Sequence, residues 1–320
     1  MIAYLTTVTF SMRKSAFEGQ PPATERDFWI VKGIQIARGN PHPNPSKGTR
    51  IPRPPAPVPM DSNSGKIMAS CIISIIVVLL VTAIRVIGKV RSKRSRLGWD
   101  DWLLIVAVIA FCALAGQTLV QTLIGGTGKH QYNVTYEELE NRIGLASAAW
   151  WMYYLVIVPT KLSVICFNAR LTGLVSSFWR WTHRVFFVAI CIYGIFWVPW
   201  YIFLTVPVSA RYSYIVTAHH PEFHFVRVWS GYINTISTGI HIGSDWLLLA
   251  IPVYLVAKLQ MPVAKKLRCI IPISVGCLSA IGAIVSLYYR YHMFEDTACK
   301  FPTLPFQRKN IELADIRCAS

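Results

Sequence analysis

Apolar residues crowd into six stretches of this chain, at Ile67 to Gly88, Trp102 to Ile124, Ile143 to Phe167, Val185 to Pro207, Trp229 to Ala257 and Cys269 to Tyr289. Each is about 20 residues or longer, and a helix rising about 1.5 Å per residue crosses a hydrocarbon layer of roughly 30 Å over that length. One soluble core of this size could not hide so many such runs. In lipid, only helices and closed barrels satisfy their backbone N–H and C=O groups internally. The pattern therefore predicts an all-α fold, a polytopic transmembrane helical bundle with six spans over residues 67–292. Residues 1–66 read differently. Pro41-His42-Pro43-Asn44-Pro45 and Ile51-Pro52-Arg53-Pro54-Pro55-Ala56-Pro57 make a Pro/Arg-rich tail, expected to be disordered because proline cannot donate to a ladder and few apolar groups are there to bury. Met1 to Phe10 is short and lacks a basic leading region, so it is not read as a signal peptide. Residues 293–320 are expected to form a short tail.

Composition sharpens this picture. The chain is 53% hydrophobic and 15% charged, with a mean hydropathy of +0.43, on the membrane side of ordinary globular values. The spans leave only short connections, which implies one bundle and no separate catalytic domain. Positively charged short loops stay on the cytoplasmic side. Thirteen Lys and Arg residues lie in the first, third and fifth connections, from Arg85 to Arg96, Arg170 to Arg184 and Lys258 to Arg268, against four (Lys129, Arg142, Arg211 and Arg227) in the others. The amino terminus is thus expected outside. Lys47, Arg50, Arg53 and Lys66 pull the other way, but the loop bias repeats at every second connection. Asn133-Val134-Thr135, a glycosylation acceptor pattern, falls on an outer loop in this orientation. Trp150, Trp151, Tyr153, Tyr154, Trp179, Trp181, Trp200 and Tyr201 gather at span ends, where amphipathic rings favour the headgroup level.

The net charge of +17 is explained by basic loops beside anionic lipid. The lipid bilayer is the expected partner and nucleic acid is not. Cys71, Cys112, Cys166, Cys191 and Cys277 lie inside spans and Cys269 at a span start, which argues against a disulfide-stapled outer domain.

Charges inside spans are costly, roughly 2.5–3.5 kcal/mol at a helix centre on the insertion scale. Lys161 in span three and Asp245 in span five stand at matching depths and could pair, either to fix helix register or to take part in signalling or transport. Asn234, Thr238, His241 and Asp245 recur at steps of four, three and four, one face of a helix that must meet protein or water. That stripe could frame a ligand or ion pocket, or serve as interhelical glue beside Gly239 and Gly243. Asp100 and Asp101 open span two, where a helix amino terminus favours negative charge; capping, or a switch with the neighbouring basic loop, would suit them. His219-His220-Pro221-Glu222-Phe223-His224 has no rigid ligand spacing and reads as solvated loop, so no metal site is expected. Gly125 to His130 reads as a turn, because Lys129 is not followed by Ser or Thr as a phosphate loop requires. No nucleophile elbow, zinc-protease helix or dinucleotide fingerprint occurs, so neither enzyme activity nor a cofactor is expected.

Several segments together resemble one family, the fungal rhodopsin-domain integral membrane proteins, which are seven-helix and receptor-like. They are Gly98-Trp99-Asp100-Asp101-Trp102-Leu103, Gly126-Thr127-Gly128-Lys129-His130, Lys161-Leu162-Ser163 with Arg170-Leu171, and Ser244-Asp245-Trp246-Leu247-Leu248-Leu249-Ala250-Ile251-Pro252. Lys258-Leu259-Gln260-Met261-Pro262 with Lys265 and Lys266, and Arg290 after Gly276 and Ser279, extend the match to about residue 290. The family's usual cysteines are missing from residues 208–228, and Asn310 to Ser320 resembles only a fragment of its last helix. Residues 293–320 thus read as a remnant of a seventh helix. Opsin-type proteins attach retinal through a lysine of that helix, so no chromophore is expected. The resemblance implies a plasma-membrane, receptor-like (G-protein-coupled-receptor-like) sensor, coupling a small-molecule or surface cue to a cytoplasmic signalling partner. The alternatives are a transporter or channel component that uses the polar stripe of span five, and a truncated, non-functional membrane fragment.

Overall fold

The computed structural model describes residues 21–37, 42–49, 62–91, 98–130, 133–172, 177–203, 207–220 and 223–258, together with residues 281, 284, 285 and 288. Among the described residues the helices with defined bounds are α1 (Glu25–Ala37), α2 (Ser64–Arg91), α3 (Trp99–Ile124), α4 (Tyr136–Thr172), α5 (Ser177–Phe203), α6 (Tyr214–His219) and α7 (Phe223–Lys258), with short 3₁₀ turns at Pro45–Lys47 and Val208–Arg211. Among the described residues, four stretches are long and apolar enough to cross a membrane: Ser64–Arg91, Trp99–Ile124, Tyr136–Arg170 and Phe178–Trp200. They overlap the first four spans expected, the fourth running from Phe178 to Trp200 rather than from Val185 to Pro207. The fifth lies on α7, whose apolar part among the described residues is the shorter Ile236–Ile251. Most of the sixth lies outside the described residues; Ile281, Ile284, Val285 and Tyr288 are helical and exposed.

Helix ends follow local chemistry. At the start of α3 the Asp101 carboxylate reaches back to accept the Gly98 N–H at 3.1 Å, the reciprocal half of a capping box. The helix stops at Gly125-Gly126, where Gly126 takes a φ of 61°, the left-handed conformation that closes helices most cheaply in glycine. At the start of α4, Thr135 and Glu138 form both halves of a capping box: the Glu138 N–H donates to Thr135 Oγ1 at 3.3 Å and the Thr135 N–H to Glu138 Oε2 at 3.0 Å. No residue of α2 is fully buried. Its partly buried positions include Cys71, Ser74, Val78, Thr82, Arg85 and Lys89, at steps of three and four, with Ile75 and Val86 beside them, so α2 meets protein along one stripe and turns most of its large aliphatic residues outward.

The chain divides into two compact units. The first gathers Met1–Ala83, Val108–Tyr154 and Val198–His224. Here the structure departs from the expectation for residues 1–66, because α1 is an ordered helix with Ile30, Val31 and Ile34 buried. Those side chains pack with Tyr136, Leu139, Tyr214 and Ile215, which come from α4 and α6. Proline-rich flanks obscured a helix whose stability comes from distant partners. Its local signal was Thr24, whose hydroxyl accepts the Asp27 N–H at 3.1 Å as a cap. The Gln35 amide then ties the chain back, donating to the carbonyls of Asn44 at 2.9 Å and Gly48 at 2.7 Å. The connection between α5 and α7 holds α6, which ends at His219, where the stretch read as solvated loop begins. Ser213 caps α6, and Glu140 of α4 accepts from the Ser213 hydroxyl and from the Tyr214 N–H at 2.9 Å. The Gly126-Thr127-Gly128 turn pins the beginning of α2: Gly128 O accepts the Asn63 N–H at 2.9 Å and Thr127 O accepts the Ser64 hydroxyl at 2.9 Å. A Cβ on Gly128, whose φ is 92°, would lie 2.7 Å from Ser64 N.

The second unit comprises Ile84–Ala107, Leu155–Trp197 and Phe225–Ser320. Its apolar core is Leu162 and Ile165 of α4, Ile190 of α5 and Leu248 of α7, with Leu103, Val158, Phe186 and Cys191 against them. Gly194 of α5 lets Val158 approach; a Cβ there would meet both of its methyl groups at 3.0 Å.

Candidate functional site

In the second unit α4 carries a buried cation. Lys161 is buried, 4% exposed, and its ammonium finds three acceptors on α7: the His241 carbonyl at 2.8 Å, the Ser244 hydroxyl, and Asp245 Oδ1 at 2.9 Å. Three donors meet three acceptors, as a cation out of water requires. The other Asp245 oxygen, Oδ2, lies 2.8 Å from His241 Nδ1, one helical turn back. Asp245 is therefore shared between a lysine of a neighbouring helix and a histidine of its own. The sequence placed Lys161, His241 and Asp245 as candidates, and the structure brings all three together. Thr238 of the same stripe is buried, and Asn234 lies on α7 with its side chain outside the described residues. Ser244 and Ser237 went unremarked as ligands; the Ser237 hydroxyl lies 2.9 Å from the Tyr193 hydroxyl of α5. Their signal was the same helical stripe, widened by one residue.

A second cluster joins α2, α3 and α4. Asp100 and Asp101 are 3% and 1% exposed. Asp100 Oδ2 lies 3.0 Å from both Arg85 and Lys89, and Asp100 Oδ1 lies 3.4 Å from Arg170. Asp101 contacts Lys89 at 2.7 Å and Arg85 Nε at 3.3 Å. Three cations thus surround two carboxylates, so Asp101 serves as a cap and as an ion-pair partner at once. Gly98 belongs to this geometry, since a Cβ there would sit 2.4 Å from Asp100 Oδ1 and 3.2 Å from Arg170. Trp99 and Trp102 point away, both exposed. In the sequence Arg85 and Lys89 count only as loop charge; their spacing of four across the end of the first span is the sign that they share a helix face.

Helix α4 also holds the backbone of its neighbours. The Ser163 hydroxyl donates to the Asp100 carbonyl at 2.7 Å, and the Asn168 amide donates to the Leu248 carbonyl at 3.1 Å. The second bond answers a specific defect. Pro252, four residues after Leu248, has no N–H to give that carbonyl, and inside a span a neighbouring helix must satisfy it. Pro252 explains Asn168, a residue the sequence alone left unassigned. Within ten residues α4 therefore contacts α7 through Lys161 and Asn168, and α3 through Ser163 and Arg170.

The remaining motif positions are spread out. Gly126 and Gly128 shape the turn in the first unit, where the His130 carbonyl accepts the Asn133 N–H at 2.9 Å. His219 stacks on Trp29 of α1 with ring centroids 4.4 Å apart. Lys266 and Arg290 lie outside the described residues.

The fungal rhodopsin domain matches residues 84–304, which include α3, α4, α5, α7 and both ion clusters. The chain is also similar to the Wortmanamides biosynthesis cluster protein C of Talaromyces wortmannii, 21% identical over 253 residues, covering 74% of this chain and 64% of that protein. The chain thus spans just under two thirds of the length of that curated relative. No solved structure matches. With the domain matched over more than half of its length, this multi-pass membrane protein belongs to the fungal rhodopsin domain family.

Proposed function

We propose that the protein is a receptor-like membrane sensor without enzyme activity, built on six spans, with its amino terminus outside the plasma membrane and the Asp100 cluster at the cytoplasmic side. The carrying observation is the double engagement of α4, which holds α7 through Lys161 and α3 through Ser163 and Arg170. A cue that displaces α7 would strain the Lys161–Asp245 contact, and α4 would pass that strain to the cluster around Asp100. Discrete ion pairs suit such a two-state element, because they are made or broken rather than stretched. The biosynthesis-cluster name of the relative supports a small organic molecule as the cue. In the transporter reading, Asp245 and His241 would line a solute path.

The test is the doubly neutralised Lys161→Met/Asp245→Asn variant, which leaves no buried charge alone. Expressed with an outward-facing amino-terminal tag, it should reach the surface like the parent and lose cue-evoked reporter output. Intact output with abolished solute flux would defeat the sensor reading in favour of transport.

A further inference from the structure

The cluster around Asp100 and Asp101 holds its three cations unequally. Asp100 Oδ2 takes Arg85 and Lys89 at 3.0 Å each, and Asp101 takes Lys89 at 2.7 Å, distances at which charged groups make full hydrogen bonds. Arg170 reaches Asp100 Oδ1 through Nη1 alone, at 3.4 Å, the outer limit for such a bond. Its side chain is 52% exposed, so the rest of its fork of five donors is left to solvent. Two buried carboxylates thus face three cations and the positive end of the α3 dipole, an excess of positive charge of which Arg170 is the loosest part. An exposed ring stands close by in the chain: Gly98, where a Cβ would lie 3.2 Å from Arg170 Nη1, is followed directly by Trp99, 81% exposed.

We infer that Arg170 and Trp99 dock a carboxylate-bearing segment of a cytoplasmic protein. The side of the membrane rests on the sensor reading above; the contact itself does not. An incoming Asp, Glu or chain-terminal carboxylate takes the outward fork of Arg170 bidentately, as an ammonium group could not. The exchange leaves no buried charge alone, because Asp100 keeps Arg85 and Lys89. A single exposed ion pair holds little by itself, so Trp99 supplies the apolar part of the contact; arginine and tryptophan are the side chains on which protein interfaces most often rest. Arg170 is directed at the amino-terminal end of α3, where a protein segment arrives end-on, rather than along a helix flank, where acyl chains lie. A shift of α4 that breaks the long contact to Asp100 frees the whole fork, which ties docking to the two-state element of the sensor.

The experiment places the full chain in phosphatidylcholine nanodiscs, which expose both faces and need no cue, and pans a displayed library of short random peptides. The parent should enrich acidic peptides over neutral ones. The best of them, made synthetically, should bind Arg170→Gln about tenfold more weakly, the lower end for hydrogen bonds to a charged group, and Arg170→Lys should recover only part of that. Trp99→Ala, which removes an exposed ring and tests the same contact should Arg170→Gln fail to fold, should also weaken binding. Arg91→Gln, which removes an exposed charge from the end of α2, should leave it unchanged. No enrichment of acidic peptides, or equal binding by the parent and the Arg170 and Trp99 variants, overturns the proposal. Native mass spectrometry in nanodiscs that contain phosphatidylserine covers the remaining occupant: lipid retention that falls in Arg170→Gln also overturns it. Orientation is scored separately by tag accessibility in cells, so a failure of the sensor reading is distinguished from a failure of docking.

Discussion

Asn168→Leu should destabilise the protein through a backbone carbonyl rather than through its own packing. Asn168 and Leu248 are each 3% exposed, so the Leu248 carbonyl has no water to fall back on when the amide is removed. An unsatisfied buried acceptor costs about 1–3 kcal/mol. Leucine keeps the branched outline of asparagine with bulkier methyl ends, so the substitution leaves no cavity. The need for Asn168 arises from Pro252, which means the loss should depend on that residue. In a Pro252→Ala background the alanine N–H can close the helical bond to Leu248, and Asn168→Leu should then cost less than about 1 kcal/mol. The coupling of about 1–2 kcal/mol between residues on different helices is read from a double-mutant cycle. The assay is reversible unfolding of purified protein in mixed micelles, followed by far-ultraviolet circular dichroism. Equal losses in both backgrounds would refute the reasoning, since the amide would then act by some route other than the orphaned carbonyl.

Three further outcomes follow from the same geometry. Asp245→Asn alone should cost about 3 kcal/mol, the lower end for breaking a buried pair, because the Lys161 ammonium keeps two neutral acceptors; the Lys161→Met/Asp245→Asn pair should recover much of it in the same unfolding assay. Gly98→Ala should cost about 1–3 kcal/mol, because a Cβ 2.4 Å from Asp100 Oδ1 displaces a carboxylate held by Arg85 and Lys89, whereas Gly88→Ala, with open space around it, should stabilise α2 by up to about 1 kcal/mol. Ile34→Ala should loosen α1 from Tyr214 and Ile215 at a cost of about 2–5 kcal/mol, seen as faster proteolysis between α1 and α2 with the span helices intact.

The long apolar runs were legible because each span answers to one local demand: a helix in hydrocarbon must satisfy its own backbone and show lipid an apolar surface. The same logic exposed Lys161, His241 and Asp245, since charge inside such a run has no local excuse. Helix α1 escaped notice because Ile30, Val31 and Ile34 become a core only when Tyr136 and Tyr214 arrive from positions more than one hundred residues away. The doubled role of Asp101 and the partners of Arg85 and Lys89 were hidden for the same reason. Composition places a basic residue near a span end, but only packing decides whether it faces lipid phosphate or a carboxylate. Pro252 is the sharpest case: its missing N–H is written in the sequence, while the identity of the group that replaces it, Asn168 across the helix interface, exists only once α4 and α7 are folded together.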